Sequence, residues 1–274
     1  MVNDKIQLFS ALAPLAQRAR QIILDVYATE FRVDDKGGND PVTIADKRVN
    51  ALLCEEIPKI APGVPIVAEE SAEEEYSGYT RASAAFFVDP LDGTREFVAR
   101  NGEFVVMIGL AEEGRAIAGL ILAPTTGLLW TGVVGHGAEE HAPDGSRRPL
   151  RLGPGPSSLA EARLVASRSR RSPELEAFLG RNPPRELQIL GSAGLKGAAV
   201  ARGQADLYLQ FGGAGSLWDA CAPDAIVRAA GGLYTHLRGA PVDYRGPLDI
   251  EDGVVVAAPD LHASTLALLV KDAV

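Results

Sequence analysis

The sequence predicts a mixed α/β protein built on two sheets, and three observations carry that expectation. Residues 4–59 repeat apolar positions at helical period, residues 64–134 break into short β-branched runs joined by tight turns, and beyond residue 157 strand and helix patterns alternate. Hairpin pairing in the middle and alternation at the end require separate sheets, each with helical cover.

The first helix is expected over residues 4–29, where Ile6, Phe9, Leu12, Ala16, Ile22, Ile23 and Val26 form one apolar stripe and Pro14 introduces a kink. A turn follows at Asp35-Lys36-Gly37-Gly38. Thr43 starts a second helix that runs to about Lys59, with Asp46 in its first turn and Val49, Leu52, Leu53 and Ile57 on the buried side. Strands are expected at Pro65–Ala68, Phe86–Val88, Phe104–Ala111, Ala116–Ala123 and Leu128–Val134. The turns at 112–115 and 124–127 join the last three as hairpins, which makes this sheet largely antiparallel. The Gly-, Pro- and charge-rich stretch 135–156 marks an internal boundary, with 1–140 as an N-terminal half, 141–156 as the connection and 157–274 as a C-terminal half. That second half reads as strand Arg163–Ala166, helix Pro173–Leu179, strand Leu187–Leu190, helix Leu195–Arg202, strand Leu207–Phe211, helix Ala220–Ala230, strand Val254–Ala257 and helix Leu261–Val270.

Composition narrows the function classes. With 274 residues, 46% hydrophobic, the chain can bury a core without disulfides or a structural metal, so any metal is expected to be functional. Lys and Arg number 27 against 36 Asp and Glu, a net charge of −9 without a basic block, which argues against a nucleic-acid polymer as partner. Cys54 and Cys221 have no metal-ligand spacing and point to a reducing compartment, the cytoplasm by default. Neither a signal peptide nor a membrane-spanning run is legible. There is no G-x-S-x-G elbow, H-E-x-x-H helix or Walker A loop, the glycines at 212–215 read as a loop, and His136, His141, His236 and His262 read as surface residues.

The chemistry concentrates in Phe86–Thr94. Pro90 excludes the helical conformation at Asp89, so the strand should end in a bend that gathers Asp89, Asp92 and the Leu91 carbonyl. Gly93 allows close backbone approach, and Arg95–Val98 can open a short helix whose N–H groups would hold an anion. Taken singly, each acidic position has an ordinary alternative: a β-turn for the D-P-L-D-G-T run, a solvated loop for Glu69-Glu70, a helix-dipole carboxylate for Asp46 and Asp219.

Together, D-P-V-T-x-A-D at 40–46, E-E-S at 69–71, D-P-L-D-G-T at 89–94, W-D at 218–219 and A-G-G at 230–232 resemble, in kind and order, the inositol monophosphatase-like metal-dependent phosphatases. D-G-T-R-E-F, R-N-G-E-F and G-Q-A-D-L-Y are similar to its 3'(2'),5'-bisphosphate nucleotidase branch. The resemblance implies a layered αβαβα sandwich, two or three Mg2+ ions, lithium inhibition and hydrolysis of a small phosphorylated metabolite, adenosine 3',5'-bisphosphate first and an inositol or sugar phosphate as the alternative. A homodimer is compatible with it, and a non-catalytic metabolite-binding scaffold is disfavoured because all the acids and Thr94 are present. Carried onto this sequence, Glu69, Asp89 and the Leu91 carbonyl would hold one ion, Asp89, Asp92 and Asp219 a second, with a weaker third near Glu69. Thr94 and Asp46 would orient the attacking water, and the N–H groups of Gly93 and Thr94 would hold the phosphate. The substrate contacts would be Lys196, Ser192 and Arg168, with Ser192 displaced from the branch's Ser-x-x-Lys spacing, Gln210 where the nucleotidases carry Arg, and Arg170 where they carry His. Like carboxylates ~4 Å apart repel by about 4 kcal/mol at an effective dielectric of 20, so without cations the cluster should be protonated or loosened.

Overall fold

In the computed structural model, which describes residues 2–35, 41–76 and 78–272, five layers stack in the order helix, sheet, helix, sheet, helix. The first layer pairs α1 (Val2–Tyr27) with α2 (Ile44–Ile60), linked through a ribbon of β1 (Val33–Asp35) and β2 (Pro41–Thr43). Phe9, Leu12, Ala16 and Ile23 of α1 and Val49, Leu53 and Ile57 of α2 bury the predicted stripes against the first sheet, while Ile6 of the expected α1 stripe is exposed. The helix runs through Pro14 without ending. The expected turn at 36–38 and Asp40 of the first acidic motif lie outside the described residues.

The first sheet is formed by β3 (Ile66–Ala68), β4 (Ala84–Asp92), β5 (Val105–Glu112), β6 (Arg115–Leu122), β7 (Leu129–Val133), β8 (Gly137–His141) and β9 (Arg147–Leu150), in that spatial order. The short helix α3 (Glu73–Tyr76) lies between β3 and β4, and α4 (Thr94–Val98) follows β4. Only β3 and β4 run parallel; the rest is a meander, as the hairpin signals require. At the β5–β6 turn Glu113 and Gly114 both take positive φ, 47° and 74°, the conformation a two-residue hairpin demands. β8 and β9 fall inside the stretch 135–156 and carry this sheet to Leu150; Glu139, Arg147 and Arg148 face solvent while Glu140 is held against Trp130, so the composition there reads as a loop.

The second sheet contains β10 (Arg163–Ser167), β11 (Glu186–Leu190), β12 (Leu207–Gln210), β13 (Leu233–Thr235) and β14 (Val254–Ala257), in the order β11-β10-β12-β14-β13. The helices α6 (Ala193–Ala201) and α7 (Leu217–Ala229) lie between the sheets, and α5 (Pro173–Arg181) and α8 (Pro259–Asp272) cover the outer face. One expectation is corrected: His262 is buried rather than on the surface. It sits on the inner face of α8 beside Leu261 and Thr265, and its Nε2 pairs with the Thr235 hydroxyl at 2.8 Å. No described helix is long and apolar enough to cross a membrane.

The position of α7 follows from three glycines. Gly109, Gly119 and Gly132 stand side by side in register across β5, β6 and β7. A methyl group on Gly119 would lie 2.4 Å from the Ala222 carbonyl oxygen, one on Gly109 2.6 Å from Cys221, and one on Gly132 2.8 Å from the Ile226 Cα. The sheet thus carries a trough into which the α7 backbone is pressed. We expect Gly119→Ala to lower the unfolding free energy by about 1–3 kcal/mol through overpacking. Gly180→Ala in α5, where the added carbon meets nothing within 4 Å, should be neutral or stabilising. Urea unfolding of the two variants checks this; a Gly119→Ala protein as stable as wild type contradicts the close contact.

Candidate active site

Asp89 and Asp92 stand at the end of β4, where the pairing with β5 shifts register between them. The strand therefore continues to Asp92 rather than ending at Val88, and the bulge accommodates Pro90, which has no N–H for the ladder. The Leu91 N–H donates to Asp89 Oδ1 at 2.9 Å, the bend expected from the sequence. Asp219 reaches the same point from α7: it is the third residue of the helix, and the Ser216 N–H donates to its Oδ2 at 2.6 Å in a capping box. Gly215 makes room for it, since a side chain there would meet the Asp219 carboxylate. Ligand oxygens of Asp89, Asp92 and Asp219 all lie within 4.8 Å of one another. Glu69, just past β3, lines the same cavity, and its backbone N–H is held by the Val88 carbonyl at 3.1 Å.

Burial and mutual repulsion govern this cluster. Asp89 is 1% exposed, and burial first, then the charges of Glu69, Asp92 and Asp219, push its carboxyl well above the usual carboxylate range. Burial and the same neighbours raise Asp219 to about 7. Such hard oxygen donors fit a divalent cation of the Mg2+ type, which would be held by Asp89, Asp92 and Asp219 with Glu69 and the Leu91 carbonyl beside them.

Next to the cluster, the Thr94 hydroxyl donates to Asp46 Oδ1 at 3.0 Å and to the Leu91 carbonyl at 3.1 Å. Asp46 is 1% exposed and caps α2, its Oδ2 accepting from the Thr43 N–H at 2.8 Å and from the Thr43 hydroxyl. Burial raises its carboxyl, and the hydrogen bonds from Thr43 and Thr94 oppose that rise. Gly93 precedes Thr94 with φ 99°, and a side chain there would strike the Glu103 carbonyl oxygen at 2.8 Å. Both residues line the cavity, whose volume is about 190 Å³.

The residues read as substrate contacts have different settings. Lys196 lines the cavity from α6, buried, with its ammonium donating to the Ser192 carbonyl at 2.6 Å and lying 5.3 Å from the centre of the Tyr208 ring; burial lowers it to about 8. Ser192 turns toward the acidic cluster: its hydroxyl donates to Asp92 Oδ2, which also accepts from the Gly194 N–H at 2.8 Å. Ser192 sits at the strained φ of 55° and caps α6, so this serine positions Asp92. Arg168 is outside the cavity lining and pairs with Glu103 at 2.6 Å. Residues that sequence reasoning did not assign to the site, Glu96 and Tyr208, also line the cavity. Glu96 adjoins the recognised D-G-T run, whereas Tyr208 carries no signal beyond its strand pattern.

The chain matches the Inositol monophosphatase family over residues 4–273. It belongs to that family. The 3'(2'),5'-bisphosphate nucleotidase CysQ of Escherichia coli (strain K12) is 33% identical over 237 residues, spanning 84% of this chain and 91% of that one. The crystal structure of CysQ from Bacteroides thetaiotaomicron superposes with a TM-score of 0.72 at 28% identity, covering 93% of this chain and 97% of that one. The suppressor protein SuhB of Bartonella henselae shares the fold at a TM-score of 0.80 and 24% identity over 96% of this chain and 98% of that one. This inositol monophosphatase family member is accordingly a phosphatase, a phosphoric monoester hydrolase of a metal-dependent family.

The raised carboxyls make the ion-free phosphatase pH-sensitive. Asp219 holds its proton to about 7 in the fold against 3.8 ordinarily, so between those values the folded state binds more protons than the unfolded chain. Its contribution to stability is complete at low pH and is lost as pH rises through 7. In chelator, wild type should lose more than about 1 kcal/mol of stability relative to Asp219→Asn between about pH 5 and pH 8, and saturating Mg2+ should reverse that trend because cations bind the deprotonated cluster. Denaturant unfolding at both pH values tests it; parallel pH profiles for the two proteins contradict the assignment.

Proposed function

We propose that this phosphatase removes the 3'-phosphate of adenosine 3',5'-bisphosphate, giving AMP and inorganic phosphate with Mg2+ as the cation. The observation that carries the reading is a carboxylate cluster that shares one cavity with Thr94, whose hydroxyl is hydrogen-bonded to Asp46. The relatives named as CysQ bisphosphate nucleotidases support the choice of substrate. Two unpaired cysteines, Cys54 and Cys221, fit the proposed cytoplasmic setting.

The divalent ions, when bound, supply positive charge against the phosphoryl oxygens and make water more acidic. The protein contributes orientation and a proton path. Thr94 gives its single hydroxyl proton to Asp46 and Leu91, which leaves an oxygen lone pair to accept a hydrogen bond from the attacking water. Asp46, raised by burial, is a better base than an exposed aspartate, so a proton can pass from water through Thr94 to Asp46 as the oxygen attacks phosphorus. The N–H groups of Gly93 and Thr94 are proposed to fix the phosphate in line, and no phosphoenzyme is needed.

Phosphate release from adenosine 3',5'-bisphosphate and from inositol 1-phosphate, assayed side by side with and without Mg2+, tests the reading. A higher kcat/KM for the nucleotide supports it. A higher value for inositol 1-phosphate rejects the nucleotide but leaves a metal-dependent phosphatase. Thr94→Ala should lower kcat by a factor on the order of 10² to 10⁴ with a smaller change in KM. A Thr94→Ala enzyme within about threefold of wild-type kcat removes the pair from the mechanism.

A further inference from the structure

No step of the proposed chemistry uses the R-N-G-E-F run at 100–104, which connects α4 to β5. The turn is nevertheless tied down along its whole length. The Arg100 guanidinium donates to the Tyr27 and Thr29 carbonyls at 2.5 Å each, at the C-terminal end of α1, and lies over the Tyr27 and Phe31 rings. The Asn101 N–H donates to the Glu96 carbonyl at 3.2 Å, and Asn101 Oδ1 accepts from the Glu103 N–H at 2.9 Å. The Gly102 carbonyl accepts from the Thr125 hydroxyl at 3.1 Å, and Phe104 is buried in the core under α1 and α2. With its base fixed in this way, the Glu103 side chain can hold a distant partner in a defined place.

That partner lies at the end of β11. Glu103 Oε2 accepts from the Gly191 N–H at 2.6 Å and from Arg168 Nε at 3.3 Å, and Oε1 accepts from the Arg168 guanidinium at 2.6 Å. Gly191 joins β11 to α6, and the residue after it is Ser192, whose φ of 55° is unfavourable for a side chain and whose hydroxyl donates to Asp92. Gly191 is also pressed against Glu96, since a side chain there would lie 2.3 Å from Glu96 Cγ. The segment from α4 to β5 therefore grips Gly191 and Ser192 twice, and Ser192 in turn grips Asp92. The Glu103 backbone borders the same site, because its carbonyl oxygen stands 2.8 Å from where a side chain on Gly93 would begin.

We infer that Glu103 is a positioning residue for the metal site: its side chain fixes Gly191 and Ser192, which hold Asp92 in the orientation a divalent cation requires. The inference rests on the reading of the carboxylate cluster as a cation site and not on the choice of substrate. The two contacts of Glu103 make different demands. Holding the Gly191 N–H needs an acceptor at the right reach, whereas the pair with Arg168 needs charge, and the Arg168 side chain is 45% exposed, so that pair contributes little. Glu103→Gln keeps an acceptor at full reach. Glu103→Asp keeps the charge but is one methylene too short.

Calorimetric titration of Mg2+ into the full chain tests this and needs no substrate, so its outcome is independent of which phosphomonoester is hydrolysed. Partners that orient metal ligands are worth on the order of ten- to a hundredfold in metal affinity, so Glu103→Ala should raise the Mg2+ Kd by about tenfold. Glu103→Asp should raise it in the same sense, and Glu103→Gln should bring it back to within about threefold of wild type. Because the effect runs through Ser192, the variant carrying both Glu103→Ala and Ser192→Ala should bind Mg2+ no more than about twofold more weakly than the weaker single variant. A merely structural contact would lower the melting temperature of Glu103→Ala and leave the Kd of the folded protein unchanged. Wild-type Mg2+ affinity in Glu103→Ala and Glu103→Asp overturns the positioning role while the cation site stands, and fully additive effects overturn the route through Ser192. A wild type that binds no Mg2+ overturns the cation site and the inference with it.

Discussion

Three carboxylates that repel one another are held at a single point, and the architecture is organised to keep them there. Were both members ionised, a like-charged pair at ~4 Å would oppose folding by about 4 kcal/mol at an effective dielectric of 20, and the raised Asp89 and Asp219 carboxyls reflect that cost. The opposition is met by anchoring every carboxylate to backbone: Asp89 accepts from Leu91, Asp92 from Gly194, Asp219 from Ser216. Asp219 arrives from a segment more than a hundred residues downstream, and it reaches β4 only because α7 sinks into the trough made by Gly109, Gly119 and Gly132. The buried core shared by the two sheets and the helices between them supplies the rigidity that this clustering requires.

The site divides its tasks between the layers. The first sheet, α2 and the start of α4 provide Asp89, Asp92, Asp46 and Thr94, a compact set linked by hydrogen bonds from Thr43 to Leu91. The central helices and the second sheet provide Asp219, Lys196 and Gln210, and the turn after β10 adds Arg170. Ser192 connects the two groups, because its hydroxyl holds Asp92 while its carbonyl receives the Lys196 ammonium. Acidic and basic side chains thus line one cavity, an arrangement suited to a phosphate that must meet bound cations and the protein's own positive charge.

Most of the secondary structure and the acidic run were legible in the sequence because their determinants are local. Apolar period, the Glu113-Gly114 turn and the Pro90 bend each act over a few residues, and the family resemblance joined the separated motifs. What escaped the sequence depends on register or on distant partners. The glycine trough exists only once Gly109, Gly119 and Gly132 are paired across three strands, and nothing near Ser192 signals that its hydroxyl serves Asp92. β8 and β9 were hidden because short strands at and next to a sheet edge can be as charged as a loop. Nothing in the sequence signals that Arg168 turns to Glu103 while Arg170 lines the cavity.

The central claim is that the carboxylate cluster is a divalent-cation site whose occupation stabilises the folded chain. It is tested most directly by thermal unfolding of wild type and Asp89→Asn at about pH 8 over a Mg2+ titration. The account expects Asp89→Asn to start more stable than wild type without ions and to respond weakly to Mg2+, while wild type gains stability steadily with ion concentration. Equal Mg2+ responses in the two proteins, or none in wild type, would contradict it.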